Sequence, residues 1–330
     1  MLLTEVAGQF NAGKKDVFPA VVLNDTGLTT VEQCQHWIKK NQQALEQQLQ
    51  HSGAILFRGF PIGSAETFDK FTASFNNPNF LYKDSLSNAV RINFTERVFT
   101  ANEAPKDVEI YLHNEMAQTP IYPDKIFFFC LKPADKGGES PILRCDMLFD
   151  ALSKNNQALA QAFEQKGVKY TTQMPGEDNP DSGQGRSWKS TLSVESIEQA
   201  EAKLSRLDYS WTWNNDGSLK ATTAALPAVR TLDCGRKVFF NQIIAAYMGW
   251  SGVRTHHQDT LRFGDDTEIP KAWLEEIAAL SESYIFDTPW QAGDVAMVDN
   301  NLAMHGRRPY SGESKRQVLV ALGAAKANTN

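Results

Sequence analysis

From residue 89 onward the chain breaks into short apolar or alternating stretches separated by turn residues, and this pattern constrains the fold more than any other feature. Strands are expected at 89–94, 108–116, 125–131, 140–144, 167–173, 208–213, 219–230, 236–243, 283–286, 294–299 and 316–323. Helices are expected at 146–165 behind Asp146 as N-cap, at 193–206, and at 270–282 after Pro270. Strands and helices do not alternate regularly, which argues against a doubly wound α/β sheet. The expected fold is mainly β with flanking helices, a jelly-roll barrel with helical buttresses.

The N-terminal third supplies the helical part. Thr30 and Gln33 form a capping box that opens a helix running to about Leu49. Its apolar face is Cys34, Trp37, Ile38, Leu45 and Leu49. A short buried strand is expected at Ala54 to Phe57, and a second helix from Ser64 to Phe75 with Phe68, Phe71 and Phe75 at helical spacing. The 330 residues read as one domain over 1–330, with a mid-chain insertion around 146–235. Within it, Met174 to Lys189 is rich in Gly, Pro, Asp and Ser and reads as a long loop, either a lid or a mobile surface segment.

A net charge of −6 argues against a nucleic-acid-binding surface and suits a small-molecule enzyme. It leaves room for a local basic pocket or a carrier-protein partner. The cysteines Cys34, Cys130, Cys145 and Cys234 are scattered without a CxxC pair, the pattern of reduced thiols. No signal-like N-terminal segment and no apolar run near 18 residues is present, so the expected location is the cytoplasm, with no membrane span.

One stretch carries candidate chemistry. If Tyr111 to Met116 is a strand, His113 and Glu115 share a face, because side chains alternate. With a distant His they would form a 2-His-1-carboxylate triad, which leaves coordination positions open on a non-haem Fe(II). The spacing alone is a weak filter. Six His and 39 acidic residues in 330 give roughly 0.7 His-x-Asp/Glu matches by chance, and His257-Gln258-Asp259 is a second one. Context separates the two: His113 lies in an apolar run, whereas His257 sits among Arg254, Thr255, His256 and Gln258 in what reads as a solvated loop. Further support comes from His305, which follows a turn and strand at 293–301. Arg316 leads into the apolar strand Gln317 to Leu322, where a buried guanidinium needs an anionic partner. Ser140 places a hydroxyl at a turn-to-strand junction after Gly137 and Gly138.

HNE at 113–115, GGES at 137–140, His305 and Arg316 together resemble the TauD/TfdA-like, clavaminate-synthase-like Fe(II)/2-oxoglutarate dioxygenases. The resemblance is closer still to the branch with syringomycin-type hydroxylases. That likeness is carried by HSGA at 51–54, LFRGFP at 56–61, VFTANEAP at 98–105, NEMAQ at 114–118, GRSWKST at 185–191 and DNNLAMHGRRP at 299–309. The resemblance implies a double-stranded β-helix, Fe(II) held by His113, Glu115 and His305, and no catalytic side chain beyond the metal centre. It also implies 2-oxoglutarate as cosubstrate with O2, its distal carboxylate held by Arg316 and the Ser140 hydroxyl. Many members have Asp at the place of Glu115 and Thr at that of Ser140; both exchanges keep the oxygen that matters. A carboxylate at 115 argues against a halogenase. Taurine-type members carry a second Arg four residues after the first, where this chain has Val320, which argues against a sulfonate bound that way.

The reaction expected is hydroxylation or desaturation of a small, amino-acid-like substrate, free or carrier-bound, by analogy with the family. Candidate substrate contacts are Arg186, Trp188 and Lys189 at the end of the long loop, Asn241 and Gln242, and Asn102 with Glu103; each also reads as ordinary loop or turn structure. Arg307 and Arg308, beside His305, read as surface or supporting residues. Two other classes stay open: a cupin-like metal enzyme without 2-oxoglutarate, which has no need of Arg316, and a non-catalytic binding protein on the same fold. Oligomeric state is not encoded in any feature found.

Overall fold

A computed structural model describes residues 3–81, 85–87, 91–101, 104–178, 185–250 and 253–325. The strand Lys125–Lys132 shows how the layers are built. Its residues 126–130 are all apolar because both of its faces are covered. Ile126, Phe128 and Cys130 point inward, packing with Leu56, Val298, Val320, Ile142 and Phe286. Phe127 and Phe129 point outward, against Ile38 and Leu49 of the helix Val31–Ser52 and Phe68 and Phe71 of the helix Ala65–Ala73. Each fully buried Phe contributes roughly 1.5–3 kcal/mol from removal of apolar surface from water.

This strand lies within a seven-stranded sheet ordered Leu3–Thr4, Ala20–Leu23, Ala54–Arg58, Val295–Asp299, Lys125–Lys132, Gln317–Gly323 and Val98–Thr100. A four-stranded sheet faces it, ordered Ile285–Thr288, Ser140–Arg144, Ala303–Arg307 and Ile110–His113. Strand alternation turns Leu112, Leu143 and Met304 to its outer side, where they meet Leu148 and Leu152 of the helix Cys145–Asn155. Between Arg144 and Ile285 the chain leaves this sheet and builds the remaining helices. The same stretch forms a separate four-stranded sheet, Ser210–Trp213, Leu219–Thr222, Val168–Met174 and Leu261–Phe263. No helix among the described residues is long and apolar enough to cross a membrane.

The capping box at Thr30 forms as expected, and Cys34, Trp37, Ile38, Leu45 and Leu49 are buried. Other boundaries differ from the sequence reading. The expected helix 146–165 is two helices, Cys145–Asn155 and Gln157–Lys166, because Asn156 turns its side chain to accept from Leu159 N and caps the second. Asp146 is not the N-cap; it sits in the first turn, paired with Arg144. At 91–94 only an isolated bridge, Asn93 to Phe99, replaces the expected strand. The segment 236–243 is a strand only at Lys237–Phe239, and the helix Ile243–Gly249 follows it. His257 is buried rather than solvated, its Nε2 2.9 Å from Ile269 O, so it is a core histidine.

Candidate metal centre

His113 ends the strand Ile110–His113, and His305 lies directly across from it on Ala303–Arg307. Their ring centroids are 4.3 Å apart. The strands can approach this closely because residue 306 is glycine: a Cβ there would sit 2.4 Å from Ile110 O.

Glu115 is not on the strand. The strand stops at His113, and Glu115 lies in the turn that follows, where Met116 takes a φ of 60°. Buried amides hold this turn. Asn300 Oδ1 accepts from Glu115 N at 2.7 Å, and its Nδ2 donates to Glu115 O at 3.0 Å and to Pro123 O at 2.7 Å. Asn114 Nδ2 donates to Asn300 O at 2.6 Å, and its Oδ1 accepts from Asn241 N. Gln242 Nε2 donates to Asn114 O at 3.1 Å. The carboxylate therefore reaches the same face as the histidines by a different backbone route from the one alternation suggests.

The three side chains converge. Glu115 Oε2 is 3.2 Å from His305 Nε2 and 3.8 Å from His113 Nε2. The possible ligand atoms of all three lie within 4.8 Å of one another. Side-chain exposure is 14% for His113, 8% for Glu115 and 6% for His305. His113 Nδ1 donates to Tyr111 O at 2.8 Å, which leaves the Nε2 lone pair aimed at the cluster. His305 is fixed by packing on Phe128, ring centroids 5.0 Å apart, and its buried Nδ1 has no hydrogen-bond partner among the described residues.

Electrostatics suit the same purpose. Burial would raise the Glu115 pKa, but the adjacent imidazoles of His113 and His305 and the charge of Arg91 hold it well below the usual carboxylate range. Burial, then the neighbouring His113, push His305 down to about 4 against the opposing pull of Glu115. An ionised carboxylate beside a neutral imidazole is the protonation state metal binding needs. Two imidazole nitrogens and one carboxylate oxygen, unscreened by any other described carboxylate, fit a divalent transition metal with open positions.

The same pocket, with about 480 Å3 of empty space, takes in Ser140 and Arg316. Arg316 Nε donates to Gly138 O at 2.8 Å and Nη2 to Ser140 Oγ at 3.4 Å. Gly138, at φ 74°, lets the guanidinium lie against the backbone: a Cβ there would meet Arg316 Cδ at 2.9 Å. Trp290 Nε1 also donates to Ser140 Oγ, at 3.1 Å. The serine oxygen thus accepts twice, and its own hydrogen is left to donate into the pocket. Burial, then Arg307, push Arg316 down to about 10, so it stays charged at neutral pH. Phe128, Val318 and Val320 form the apolar wall.

Of the expected substrate contacts, Arg186, Trp188, Lys189, Asn241 and Gln242 do not line this pocket. Asn241 and Gln242 spend their side chains on Ala228 O, Ile243 N and Asn114 O. Arg186 binds Ser190 and Ser87 O, and Trp188 is buried edge-on against Trp213. Lys189 is exposed, 5.4 Å from the Trp188 ring. Asn102 and Glu103 lie outside the described residues. Arg307 donates to the carbonyls of Ala104, Pro105 and Val108, and Arg308 pairs with Glu109, Glu282 and Asp287. The sequence reading missed Asn300, Trp290 and Arg91. Each acts through a partner distant in sequence, and only the position of Asn300 in the 299–309 motif hinted at a role.

The family model described as "Taurine catabolism dioxygenase TauD, TfdA family" matches residues 28–322. A clavaminate synthase-like protein of Arabidopsis thaliana is 35% identical over 286 residues, 86% of each chain. The dapdiamide synthesis protein DdaC of Enterobacter agglomerans is 29% identical over 294 residues, 84% of each chain. Among solved structures, an asparagine oxygenase in complex with Fe(II), a 3-hydroxyasparagine and succinate shares the fold, with a TM-score of 0.53 at 13% identity over 89% of this chain and 83% of that one. On its sequence from 28 to 322, the chain belongs to the TauD/TfdA family of dioxygenases.

Proposed function

We propose that this protein is an Fe(II)- and 2-oxoglutarate-dependent dioxygenase that hydroxylates or desaturates a small, amino-acid-like substrate. In this reading His113, Glu115 and His305 hold the iron, and Arg316 with Ser140 holds the distal carboxylate of 2-oxoglutarate. The two facing sheets are read as a double-stranded β-helix, and the chain as a single dioxygenase domain over 1–330 with a mid-chain insertion. The observation that carries the proposal is the convergence of the three ligand side chains within 4.8 Å in the pocket that also holds Arg316 and Ser140.

Bound iron and 2-oxoglutarate would supply oxidative decarboxylation to succinate and CO2, one atom of O2 entering succinate and the other going to oxidation of a substrate C–H bond. The protein's residues do the rest. Tyr111 O fixes the His113 tautomer, so that Nε2 and not Nδ1 is offered to the metal. Asn300 fixes the backbone of Glu115 on both its N–H and C=O. Arg316 presents a planar fork to a carboxylate, and the Ser140 hydroxyl adds a donor that Arg316 and Trp290 orient. Phe128, Val318 and Val320 keep water from the reacting side of the pocket.

An amino-acid-like substrate fits the dapdiamide synthesis relative and the asparagine oxygenase that shares the fold; its being free or tethered to a carrier rests on family analogy alone. Val320 speaks against a sulfonate held next to Arg316. The test is 2-oxoglutarate-dependent succinate release. It should vanish in His113→Ala, and Arg316→Ala should need far more 2-oxoglutarate. Full turnover in His113→Ala, or indifference of Arg316→Ala to 2-oxoglutarate, would sink the assignment.

A further inference from the structure

Resting on that reading of the metal centre, we propose that a second pocket, at the far end of the Glu115 turn, holds an uncharged carboxamide group of the substrate, paired with the side chain of Gln118. The pocket has about 520 Å3 of empty space, within the range of small-molecule sites. One wall is the metal turn itself, through Gln118 and Thr119. The turn runs on without a break from Glu115, since Ala117 N donates to Asn114 O at 3.2 Å and Thr119 N to Met116 O at 3.0 Å. The mid-chain insertion supplies further walls: Met174 from the strand Val168–Met174, and Leu204 from the helix Ile197–Arg206. Trp250 adds another; it follows the helix Ile243–Gly249, whose entry residue Gln242 donates to Asn114 O in the metal turn.

Hydroxyls in this lining are spent on the backbone. Thr119 Oγ1 donates to Ile121 O at 2.8 Å, Thr191 Oγ1 donates to Arg186 O at 3.4 Å, and Thr223 Oγ1 accepts from Tyr170 N at 3.1 Å. Gln118 differs. Its Oε1 is buried and has no hydrogen-bond partner among the described residues. A buried acceptor without a donor is costly, and native proteins keep few of them. Tyr209 brings a phenol to the same space, and burial alone pushes its pKa up.

The unpaired amide selects the chemistry of its ligand. A carboxylate has no proton to give Gln118 Oε1, and an ammonium donates but cannot accept. A hydroxyl offers one atom where an amide offers two. A primary carboxamide carries both an N–H and a C=O, so it can pair with the Gln118 side chain through two antiparallel hydrogen bonds, whichever way round that side chain is turned. Three residues separate Gln118 from Glu115, a span of at most about 11 Å, so a molecule of amino-acid size can reach from the metal to this amide. None of the residues assigned to iron or 2-oxoglutarate lines the second pocket, and filling it leaves both in place.

The test uses the full chain loaded anaerobically with Fe(II) and 2-oxoglutarate, with binding followed by calorimetry. The probes are L-asparagine, L-glutamine, their N-acetyl derivatives and the α-carboxamides of the apolar L-amino acids, each against its carboxylic acid. At least one amide should bind more tightly than its acid by roughly 10- to 100-fold, because the acid leaves Gln118 unpaired and buries a charge beside it. Gln118→Leu should bring that amide and its acid to within about twofold, while Fe(II) and 2-oxoglutarate affinities stay within about threefold of wild type. Gln118→Glu should keep part of the amide's affinity, since it retains an acceptor for the ligand's N–H but no donor for its C=O. Without added amide, the urea midpoint of Gln118→Leu should not fall below that of wild type, because the exchange removes a buried acceptor that has no partner there. The proposal falls if no probe amide binds, if no amide binds better than its acid, or if Gln118→Leu leaves the preference intact. It falls too if Gln118→Leu lowers the urea midpoint and the Fe(II) affinity together, since Gln118 then serves the metal turn. Failure of the wild type to bind Fe(II) and 2-oxoglutarate at all overturns the reading of the metal centre itself, and this proposal with it.

Discussion

Asn300→Ala should damage the metal site from outside it. Asn300 is fully buried and its side chain makes three hydrogen bonds, from Glu115 N and to Glu115 O and Pro123 O, none longer than 3.0 Å. Truncation to Ala strands one buried N–H and two buried carbonyls. Each unsatisfied group costs about 1–3 kcal/mol, and carbonyls, with a second lone pair, sit at the low end, so the sum is about 3–5 kcal/mol. The Glu115 turn also loses its anchor on the turn that leads into the His305 strand. Loss of a residue that orients a ligand lowers metal affinity by about 10- to 100-fold. Urea unfolding, read at constant slope, gives the first quantity, and anaerobic Fe(II) calorimetry the second. Asn300→Asp serves as a control: it keeps the acceptor for Glu115 N but turns a carboxylate toward two carbonyls, and should be at least as harmful. A loss under about 1 kcal/mol in Asn300→Ala, with Fe(II) affinity unchanged, would refute the reasoning.

Other outcomes follow from single contacts. Arg316→Lys keeps the charge but not the fork, and should weaken 2-oxoglutarate binding by roughly 10- to 100-fold, whereas Ser140→Ala, which removes one neutral donor, should cost about tenfold or less; saturation curves for 2-oxoglutarate separate them. Gly306→Ala forces a Cβ onto Ile110 O and should destabilise the protein by about 1–3 kcal/mol while spreading the two histidine strands; a full-affinity Fe(II) site in this variant would contradict the geometry. Asp299 has its pKa raised to about 6, by burial first, with Asp124 adding to it. Its folded value lies above its unfolded one, so its stability contribution is complete below about pH 4 and is lost as pH rises through 6. Asp299→Asn should therefore stabilise the protein at pH 8 by about 1–2 kcal/mol, discounted for partial exposure, and the gain should fade by pH 4 in pH-dependent urea titrations.

Local sequence revealed what local physics decides. The unbroken apolar run at 126–130 marks a strand covered on both faces, and the structure covers it with the opposing sheet and the Val31–Ser52 helix. The capping box at Thr30 set a helix start because its two bonds close within four residues. Glu115 shows the limit. Alternation places it with His113 by extending the strand, yet the strand stops because Asn300, 185 residues away, takes the Glu115 backbone for itself. The polar neighbours of His257 suggested solvent, but its ring is satisfied by Ile269 O, a partner no periodicity could show. Asn241 and Gln242 looked free to meet a substrate for the same reason: their partners, among them Asn114 at the metal turn, lie far along the chain. Arg91 was invisible because alternation with Ile92 and Phe94 reads it, like Asn93, onto the solvent face of a strand, whereas its side chain is only 9% exposed. Motifs spread over the chain compensated for this, since His113, Ser140, His305 and Arg316 meet in one pocket although His305 stands 165 residues after Ser140 in the sequence.

The most direct test of the central claim is the visible absorption of the anaerobic protein on addition of Fe(II) and 2-oxoglutarate. The account predicts a band that needs both components, saturates with a single Fe(II) per chain, and is lost in Glu115→Ala. No band in the wild type, or an undiminished band in Glu115→Ala, would contradict it.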